Sequence, residues 1–180
     1  MSEAEFKTLI VERRQAVLAV TLNRPKRLNA MNGRMVSELD TVTSMVEADP
    51  GIRALFLRGA GASFCSGADL KELREAAKDV DRLTEISLAF GKMLLRLAQS
   101  PALVVAAAHG PVMGGGLGLA CVADLTLAVR GTRFAMPEVT RGIQPAQILP
   151  FVLRRVGHAH ARRMALSAEP VRPREAVRNG

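Results

Sequence analysis

Residues 109–124 read HGPVMGGGLGLACVAD, a segment in which three consecutive glycines at 114–116 are followed, after one leucine, by Gly118. The apolar run ALVVAAA at 102–108 comes shortly before these glycines and predicts a fully buried strand. Glycines between such a strand and a helix let backbone N–H groups approach an oxygen ligand, with the positive end of the helix dipole behind them. The same glycines would also permit close helix packing, so this motif alone does not separate a binding loop from a packing contact.

Strands and helices alternate along the rest of the chain. Runs rich in branched apolar residues predict strands at VLAVTL (17–22), RALFLRG (53–59) and LTLAV (125–129). Asn32 is predicted to cap one helix, and a second amphipathic helix is predicted from Asp79 to the stop at Ser100 and Pro101. The apolar face of that second helix consists of Leu83, Ile86, Phe90, Met93, Leu94 and Leu97. This alternation indicates an α/β fold with largely parallel pairing, and no linker divides residues 1–180, which we interpret as a single domain.

Length and composition limit the class of protein. With 180 residues, of which 48% are hydrophobic, the chain can bury one core. No apolar run reaches the roughly 18 residues of a membrane span, and MSEAEFKTLIVERR (1–14) lacks the basic start and apolar centre of a secretory signal. Cys65 and Cys121 occur without a CxxC motif or histidines at metal-ligand spacing, which predicts reduced thiols and no metal site. We therefore expect a cytoplasmic protein without membrane contact.

The formal net charge of +8 indicates an anionic partner. Nucleic acid and a phosphorylated cofactor are both anionic, but Trp and Tyr, on which single-stranded nucleic acid stacks, are absent. The tail at 154–180 carries seven arginines against two glutamates, a pattern typical of a solvated helical face. Composition thus argues against a nucleic-acid partner and for a phosphorylated small molecule.

A second glycine-rich loop, SFCSGADL (63–70), follows the strand predicted before it. Gly116 stands where a Walker loop needs lysine, and Phe64 stands where a dinucleotide fingerprint needs its third glycine. A serine-hydrolase elbow around Ser66 would need glycines at Phe64 and Ala68. Parallel neighbouring strands bring their carboxyl ends together, so both glycine loops would meet at one crevice. One N–H from each loop could then converge on a single carbonyl oxygen and stabilise an oxyanion.

Proton transfer needs an ionisable group, and TRFAMPEVTRG (132–142) offers Glu138 in a mostly apolar stretch. A carboxylate in an apolar pocket has its pKa raised and can act as both base and acid. A first-turn glutamate that favours a helix N-terminus is an equally good interpretation of this segment. His109 and Asp124 are interpreted more simply, as a turn histidine and as a structural residue at a helix-to-strand junction.

Taken together, these segments resemble the enoyl-CoA hydratase/isomerase family, the crotonase superfamily. Five segments in the family's order and spacing carry the resemblance: LNRPKRLNAM (22–31), FCSGADLKEL (64–73), HGPVMGGGLGLACVADLTLA (109–128), FAMPEVTRGIQP (134–145) and the tail at 154–180. The resemblance implies an α/β fold, a crotonase-like spiral of β-β-α turns that usually assembles as trimers or paired trimers. It also implies a C-terminal helical region, which we expect to be absent from this chain.

The resemblance also implies the site residues. The backbone N–H groups of Ala68 and Gly115 would hold the thioester oxygen of an acyl-CoA and stabilise the enolate formed in the reaction. The coenzyme A moiety would be lined by Lys26, Arg27, Leu28, Ala30, Ser66, Ala68, Asp69, Leu70, Lys71 and Gly115. The positive charges among these residues suit the phosphates of coenzyme A. No metal and no separate cofactor is implied, because coenzyme A is part of the substrate.

Gly118 departs from the family pattern. Straight-chain hydratases of the family hold the added water between two glutamates, of which one matches Glu138 and the other would stand at Gly118. Gly118 is therefore a catalytic position without a catalytic side chain. We expect Glu138 alone to carry the proton transfer, and the absent carboxylate to leave room for a bulkier or carboxylated acyl group.

Three functions remain open at this point. We prefer a hydratase of branched or carboxylated enoyl-CoA, since GIQPAQILPFVLRRVG (142–157) resembles the branch that hydrates 3-methylglutaconyl-CoA and isohexenylglutaconyl-CoA. An isomerase that moves a double bond along the acyl chain needs only one proton shuttle and is also compatible. The third is a non-catalytic RNA-binding or scaffolding protein on the same fold, which the net charge of +8 motivates.

Overall fold

The computed structural model describes residues 5–180, and residues 1–4, the start of the segment predicted to lack a secretory signal, lie outside the described part. The strands are β1 (Leu9–Arg14), β2 (Val17–Leu22), β3 (Ala54–Gly59), β4 (Leu103–Ala108), β5 (Pro111–Met113), β6 (Leu125–Ala128) and β7 (Arg133–Ala135). The helices are α1 (Gly33–Ala48), α2 (Leu70–Ala76), α3 (Val80–Ala98), α4 (Gly115–Val122), α5 (Leu149–Ser167) and α6 (Pro173–Asn179). Short 3₁₀ helices lie at Pro25–Arg27 and Pro137–Arg141, and Gly157 interrupts the helical geometry of α5.

Two ladders of strands organise the molecule. The larger sheet has the order β1-β2-β3-β4-β6, and within it only β1 and β2 pair antiparallel. The smaller ladder joins β5 and β7 in parallel. Three single bridges accompany it: Met31 with Ala68, Cys65 with Val112, and Phe134 with Val171. Successive stretches of the chain therefore form a strand of the large sheet, then a strand or bridge of the small ladder, and then a helix. This repeat is a spiral of β-β-α turns and confirms the expected α/β fold class.

The predicted elements form where the sequence pattern places them. The three branched apolar runs form β2, β3 and β6, and their pairing is largely parallel as expected. Asn32 caps α1 by accepting a hydrogen bond from the Met35 N–H at 3.0 Å, and Asp79 caps α3. Among residues 5–180, no helix is long and apolar enough to cross a membrane.

Strand β4 corrects one prediction. The run at 102–108 was expected to be fully buried, but Leu103 is 47% exposed and only every second residue of the strand is buried. The uninterrupted apolar run therefore does not mean that both faces of the strand are buried. Successive strand side chains point to opposite faces, so Val104, Ala106 and Ala108 lie on the buried face and Leu103, Val105 and Ala107 on the partly accessible one.

Asp124 has the structural role that its position suggests. Its Oδ2 accepts a hydrogen bond from the Val104 N–H at 2.8 Å, and its own N–H donates to the Val104 carbonyl at 2.8 Å. The guanidinium of Arg155 in α5 donates to the carbonyl of Ala123 at 2.9 Å. These bonds attach the end of α4 and the start of β6 to β4, and they confirm the interpretation of Asp124 as a junction residue.

The N-terminus of α4 is pressed against the loop that follows β3. A Cβ placed on Gly116 would lie 2.3 Å from the Cys65 carbonyl oxygen and 2.8 Å from the Cys65 Cβ. The Met113 N–H donates to the same carbonyl at 3.0 Å, so the Cys65 backbone is held from two sides. Only glycine allows this approach, which confirms close packing as one of the functions of the glycine motif.

Replacing Gly116 by alanine should destabilise the fold. The added methyl group meets backbone atoms of Cys65 that cannot move independently, so we expect Gly116→Ala to lower the free energy of unfolding by about 1–3 kcal/mol, as overpacking does. Urea denaturation monitored by far-UV circular dichroism measures this. Gly131→Ala is the matched control, because no atom lies within 4 Å of a Cβ at Gly131. Equal stability of the two variants would contradict the packing argument.

Candidate active site

One large cavity lies where the glycine loops, α3 and the segment after β7 meet. Its volume is about 580 Å³, and both glycine-rich loops contribute to its wall. The loop after β3 contributes residues 66–71, the start of α4 contributes Gly114 and Gly115, and the segment from Pro137 to Ile148 closes the far side. The expected meeting of the two loops at one crevice is therefore present.

Two backbone N–H groups in this cavity are free. Neither the Ala68 N–H nor the Gly115 N–H donates a hydrogen bond to any residue within 5–180. Gly115 begins α4, where the first N–H groups of a helix have no intrahelical acceptor. The loops touch each other, since a Cβ on Gly67 would lie 3.7 Å from the Gly115 nitrogen. Two adjacent donors of this kind can hold one oxygen atom and stabilise negative charge on it.

Apolar side chains border the Gly115 donor. A Cβ on Gly115 would lie 2.4 Å from Met31 Cε and 3.0 Å from Phe90 Cζ. An apolar surrounding of this kind strengthens any hydrogen bond that Gly115 makes to a ligand. Met31 and Phe90 were not among the predicted site residues.

Glu138 lies directly beside this donor. Gly114 has a φ of 49° that favours glycine, and a Cβ there would lie 2.8 Å from Glu138 Oε1. Burial raises the pKa of Glu138, and the hydrogen bond from its own backbone N–H and the charge of Arg141 offset this only in part. Glu138 Oε2 is buried and has no hydrogen-bond partner among the described residues. The carboxylate is therefore available to a ligand and is poised to exchange a proton.

Both interpretations of Glu138 hold in part. It lies in the first turn of the 3₁₀ helix Pro137–Arg141, as the helix-terminus interpretation requires. Its carboxylate nevertheless faces the cavity, since Glu138 and the free donor Gly115 line the same wall. Placement in the cavity, which the sequence could not supply, is what favours a chemical role.

Most of the residues expected to line coenzyme A line the cavity. They are Arg27, Ala30, Ser66, Ala68, Asp69, Leu70, Lys71 and Gly115. Lys26 and Leu28 do not line it: Lys26 lies exposed in the first 3₁₀ helix, and Leu28 is 43% exposed. The Leu28 carbonyl instead accepts a hydrogen bond from the Ser66 N–H at 3.0 Å, so Leu28 positions the loop through its backbone.

Asp69 has a structural contact that the sequence did not indicate. It caps α2 by accepting the Lys71 N–H at 3.1 Å and forms an ion pair with Arg24 at 2.9 Å. Burial by itself would raise the pKa of Asp69, but the bonds from Arg24 and from the Lys71 N–H outweigh it and the pKa is lowered. Asp69 therefore stays ionised and fixes the loop that presents Ala68.

Gly118 lies outside the cavity wall, in the interior of α4. A Cβ there would lie 2.6 Å from Ile148 Cγ2 and 3.2 Å from Leu94 Cδ1. The expectation that a missing side chain at Gly118 leaves room for the acyl group is therefore wrong. Ile148, which is itself 2% exposed, fills that space because the 145–148 segment packs onto α4.

The apolar face of α3 has two functions that periodicity alone could not separate. Its second half, Met93, Leu94 and Leu97, is buried core, as interpreted for the methionine. Its first half, Leu83, Ile86 and Phe90, lines the cavity. The sequence did not identify these residues as part of the site, because a helix face that covers a cavity has the same spacing as one that covers a core. Gln147 was not predicted either, because it lies in the turn before α5, where no periodicity applies.

The two cysteines are free thiols. Burial raises the pKa of Cys65 and of Cys121 to about 12, so both thiols are protonated at neutral pH and neither is activated as a nucleophile. His109 contacts the Gly61 carbonyl at 3.0 Å, as a turn histidine. Within the part of the chain that the structure describes, no group of three or more His, Cys, Asp or Glu side chains could hold a metal ion.

Comparisons with known proteins agree with this geometry. A family model described as enoyl-CoA hydratase/isomerase matches residues 12–180. The chain is 35% identical over 181 residues to a short-chain-enoyl-CoA hydratase of Clostridium acetobutylicum, covering 98% of this chain and 67% of that protein. It is 39% identical over 160 residues to the mevalonyl-coenzyme A hydratase SIDH of Beauveria bassiana, covering 83% and 56%.

Solved structures show the same fold. The structure of Pseudomonas aeruginosa AtuE superposes with a TM-score of 0.94 at 46% sequence identity, covering 97% of this chain and 68% of that one. An enoyl-CoA hydratase/isomerase from Marinobacter aquaeolei gives a TM-score of 0.92 at 44% identity, covering 96% and 68%. The chain thus spans about two thirds of the length of these two solved chains.

Adding a methyl group at Gly118 should reveal the contact with Ile148. We expect Gly118→Ala to lower the free energy of unfolding by about 1–3 kcal/mol, since the methyl group collides with Ile148 Cγ2. Ile148→Ala alone should cost about 2–5 kcal/mol through the cavity it leaves. In the double variant the loss of unfolding free energy should be at least about 1 kcal/mol smaller than the sum of the two single-variant losses. Strict additivity in urea denaturation would show that the two positions do not share the space.

The raised pKa of Glu138 predicts a pH-dependent stability difference. Because the folded-state pKa lies above that of the unfolded chain, the ionised side chain opposes folding near pH 7. This loss is absent below the unfolded pKa and grows as the pH rises through the folded pKa. Glu138→Gln should therefore be more stable than the parent at about pH 7, and the difference should shrink towards about pH 4. A constant difference in urea midpoints across this range would contradict it.

Proposed function

This chain belongs to the enoyl-CoA hydratase/isomerase family, and we propose that it adds water to the double bond of an α,β-unsaturated acyl-CoA. One observation carries the proposal: Glu138, whose buried Oε2 has no partner among the described residues, lies against Gly114, and it lines the same cavity as the free N–H of Gly115. Hydration of an enoyl thioester needs these two elements, a proton carrier and a stabiliser of the enolate.

The Ala68 and Gly115 N–H groups hold the thioester oxygen in this proposal. As water attacks the third carbon of the acyl chain, electrons move from the double bond onto the carbonyl oxygen and form an enolate. Two preorganised N–H donors stabilise that charge, and removing one such donor typically lowers the rate about 10²–10³-fold. Met31 and Phe90 make the surroundings of the Gly115 donor apolar, which strengthens the effect.

Glu138 moves the proton. Its carboxylate takes a proton from the attacking water while the new C–O bond forms at the third carbon. The protonated Glu138 then returns that proton to the second carbon, which regenerates the carbonyl and leaves a 3-hydroxyacyl-CoA. The raised pKa of Glu138 suits both halves of this exchange, since a group with a pKa nearer neutrality accepts and donates readily.

The coenzyme A moiety is proposed to lie along the part of the wall that Arg27 and Lys71 form. Both residues line the cavity and carry positive charge, and Ser66 and Asp69 line it as well. Lys26 lies outside the wall but next to Arg27, where it can still attract a phosphate through solvent. These three basic residues account for part of the net positive charge of the chain.

The substrate is proposed to be a branched or oxygenated enoyl-CoA. The relative named mevalonyl-coenzyme A hydratase supports this class, as does the resemblance of residues 142–157 to the methylglutaconyl branch. The space argument at Gly118 no longer supports it, because Ile148 occupies that position. The polar residues of the cavity wall also support this substrate class. Arg141, three residues after Glu138 in the same 3₁₀ helix, lines the wall together with Ser87 and Gln147.

Assembly as a homotrimer or a pair of trimers is also proposed. Strand β6 lies at the edge of the large sheet and presents apolar side chains to solvent, with Leu125 52% and Leu127 60% exposed. Exposed apolar patches of this kind are typical of protein contacts. Sedimentation velocity of the 180-residue chain, beside a longer form that adds a C-terminal helical region, tests the assembly.

An isomerase that shifts the double bond is a second candidate. It is favoured by the glycine at position 118, where the resemblance expects a second glutamate, because a one-proton shuttle needs no second group to hold water. Spectrophotometric assays with crotonyl-CoA, 3-methylglutaconyl-CoA and a 3-enoyl-CoA separate the two reactions. Turnover of only the 3-enoyl-CoA would favour the isomerase, and salt-sensitive RNA binding without any turnover would favour the non-catalytic scaffold.

Replacing Glu138 by glutamine should abolish hydration and spare binding. Glutamine keeps the shape of the side chain but cannot accept the proton, so we expect the rate to fall at least about 10²-fold, within the range of general acid–base contributions. The affinity for an acyl-CoA, measured by isothermal titration calorimetry, should stay nearly constant. Glu169→Gln, at an exposed position in the tail, is the control. A Glu138→Gln enzyme that keeps most of its rate would remove Glu138 from the mechanism.

A further inference from the structure

A polar pair interrupts the apolar wall that α3 contributes to the cavity. Ser87 lies between Ile86 and Phe90 on that wall, and its Oγ accepts a hydrogen bond from Gln147 Nε2 at 2.9 Å. Gln147 comes from the segment before α5 and lines the same cavity. Both residues are half-buried. The pair thus joins two elements at a wall that is otherwise largely apolar on the α3 side.

Gly91 makes room for this pair. A Cβ placed on Gly91 would lie only 2.1 Å from Gln147 Oε1, so the amide lies against the helix where no side chain exists. Glycine in a helix interior destabilises the helix by roughly 0.5–1 kcal/mol relative to alanine. Gly91 has an ordinary helical backbone, so its backbone conformation does not require glycine. The missing side chain instead leaves space for the Gln147 amide.

The pair keeps hydrogen-bonding capacity that no protein group uses. The Ser87 hydroxyl hydrogen donates to no described residue, and one hydrogen of the Gln147 amide is likewise unassigned. Both residues line the cavity and are only partly buried, so these unused donors lie at the cavity wall.

The position of the pair along α3 matches the length of an acyl chain. Phe90 contacts the Gly115 position, whose N–H is proposed to hold the thioester oxygen, and Ser87 lies three residues before Phe90 on α3. At a rise of about 1.5 Å per residue, three residues advance about 4.5 Å along the helix. Four carbon–carbon bonds of about 1.5 Å in an extended zigzag span about 5 Å. Ser87 and Gln147 are therefore placed near the fifth carbon of a bound chain, beyond the carbons that react.

We propose that Ser87 and Gln147 form a subsite that recognises an oxygen substituent near the fifth carbon of the acyl chain. The inference rests on the proposed function and deepens it by assigning a specificity element. A carboxylate or hydroxyl oxygen accepts from the Ser87 hydroxyl and the Gln147 amide, whereas a methyl group at that place leaves both donors without a partner. Sites built to bond a polar substituent discriminate strongly against analogues that lack it.

Three substrates that share a 3-methyl-2-enoyl thioester test the subsite. They end in a methyl group (3-methylcrotonyl-CoA), a carboxylate (3-methylglutaconyl-CoA) or a hydroxyl (5-hydroxy-3-methylpent-2-enoyl-CoA). With Ser87→Ala we expect kcat/KM to fall about 10–100-fold for the two oxygenated substrates, the loss that one or two hydrogen bonds produce. For the methyl-terminated substrate we expect a change of less than about threefold. The ratio between the carboxylate and hydroxyl substrates identifies which oxygen group the subsite prefers.

Two further variants separate recognition from folding. Gln147→Met keeps the length of the side chain but removes the amide oxygen and the amide NH₂. It should give the same selective loss as Ser87→Ala. Gly91→Ala displaces the Gln147 amide without changing either member of the pair, and its higher helix propensity supports α3. Thr84→Ala, an exposed hydroxyl on the same helix whose Oγ bonds the Val80 carbonyl, is the matched control and should affect no substrate selectively. Urea midpoints of all four variants are measured alongside.

The outcomes distinguish this inference from the proposed function. Hydration by the parent enzyme with equal losses for all three substrates in Ser87→Ala and Gln147→Met would overturn the subsite and leave the hydratase assignment intact. So would unchanged kinetics in both variants. Failure of the parent enzyme to hydrate any of the three substrates would overturn the proposed function, and the subsite with it. Selective loss for the oxygenated substrates in Ser87→Ala, Gln147→Met and Gly91→Ala supports the subsite.

Discussion

The close contact between Gly116 and the Cys65 carbonyl is the constraint on which the rest of the site depends. It brings the N-terminus of α4 against the loop after β3, which no residue with a side chain at 116 would allow without a shift. The parallel strands β3 and β4 bring the two loops to one edge of the sheet, but the contact fixes their separation. The loops that carry the free N–H groups of Ala68 and Gly115 meet there, and two donors can act on one oxygen only when they are close together.

The environment of the Glu138 carboxylate lowers the stability of the fold. Its carboxylate is buried beside Gly114, and one oxygen has no partner among the described residues, a state that opposes folding when the group is ionised. The well-packed ladder and the capped helices offset this loss. Asp69 shows the contrast within the same wall, since its ion pair with Arg24 keeps it ionised and makes it a structural group. Environment, and not residue type, separates the two carboxylates.

The α3 wall changes how the missing carboxylate at Gly118 is understood. That position is packed against Leu94 and Ile148, so any side chain at 118 would meet the core before it reached the cavity. The polar groups that do line the cavity include Glu138 and the pair formed by Ser87 and Gln147.

Local backbone preferences and periodicity were sufficient to predict the alternation of strands and helices, the caps at Asn32 and Asp79, and the glycine motifs. The motifs were specific enough to indicate the family, and they placed Glu138, Ala68 and Gly115 on one list of site residues. The folded structure was needed to show that β4 is covered on one face, that Lys26 and Leu28 lie off the cavity wall, and that Ile148 fills the space at Gly118. It also divided the apolar face of α3 into core and cavity wall. Such outcomes depend on contacts between residues distant in the chain, and helical spacing is the same whether the face covers a core or a ligand.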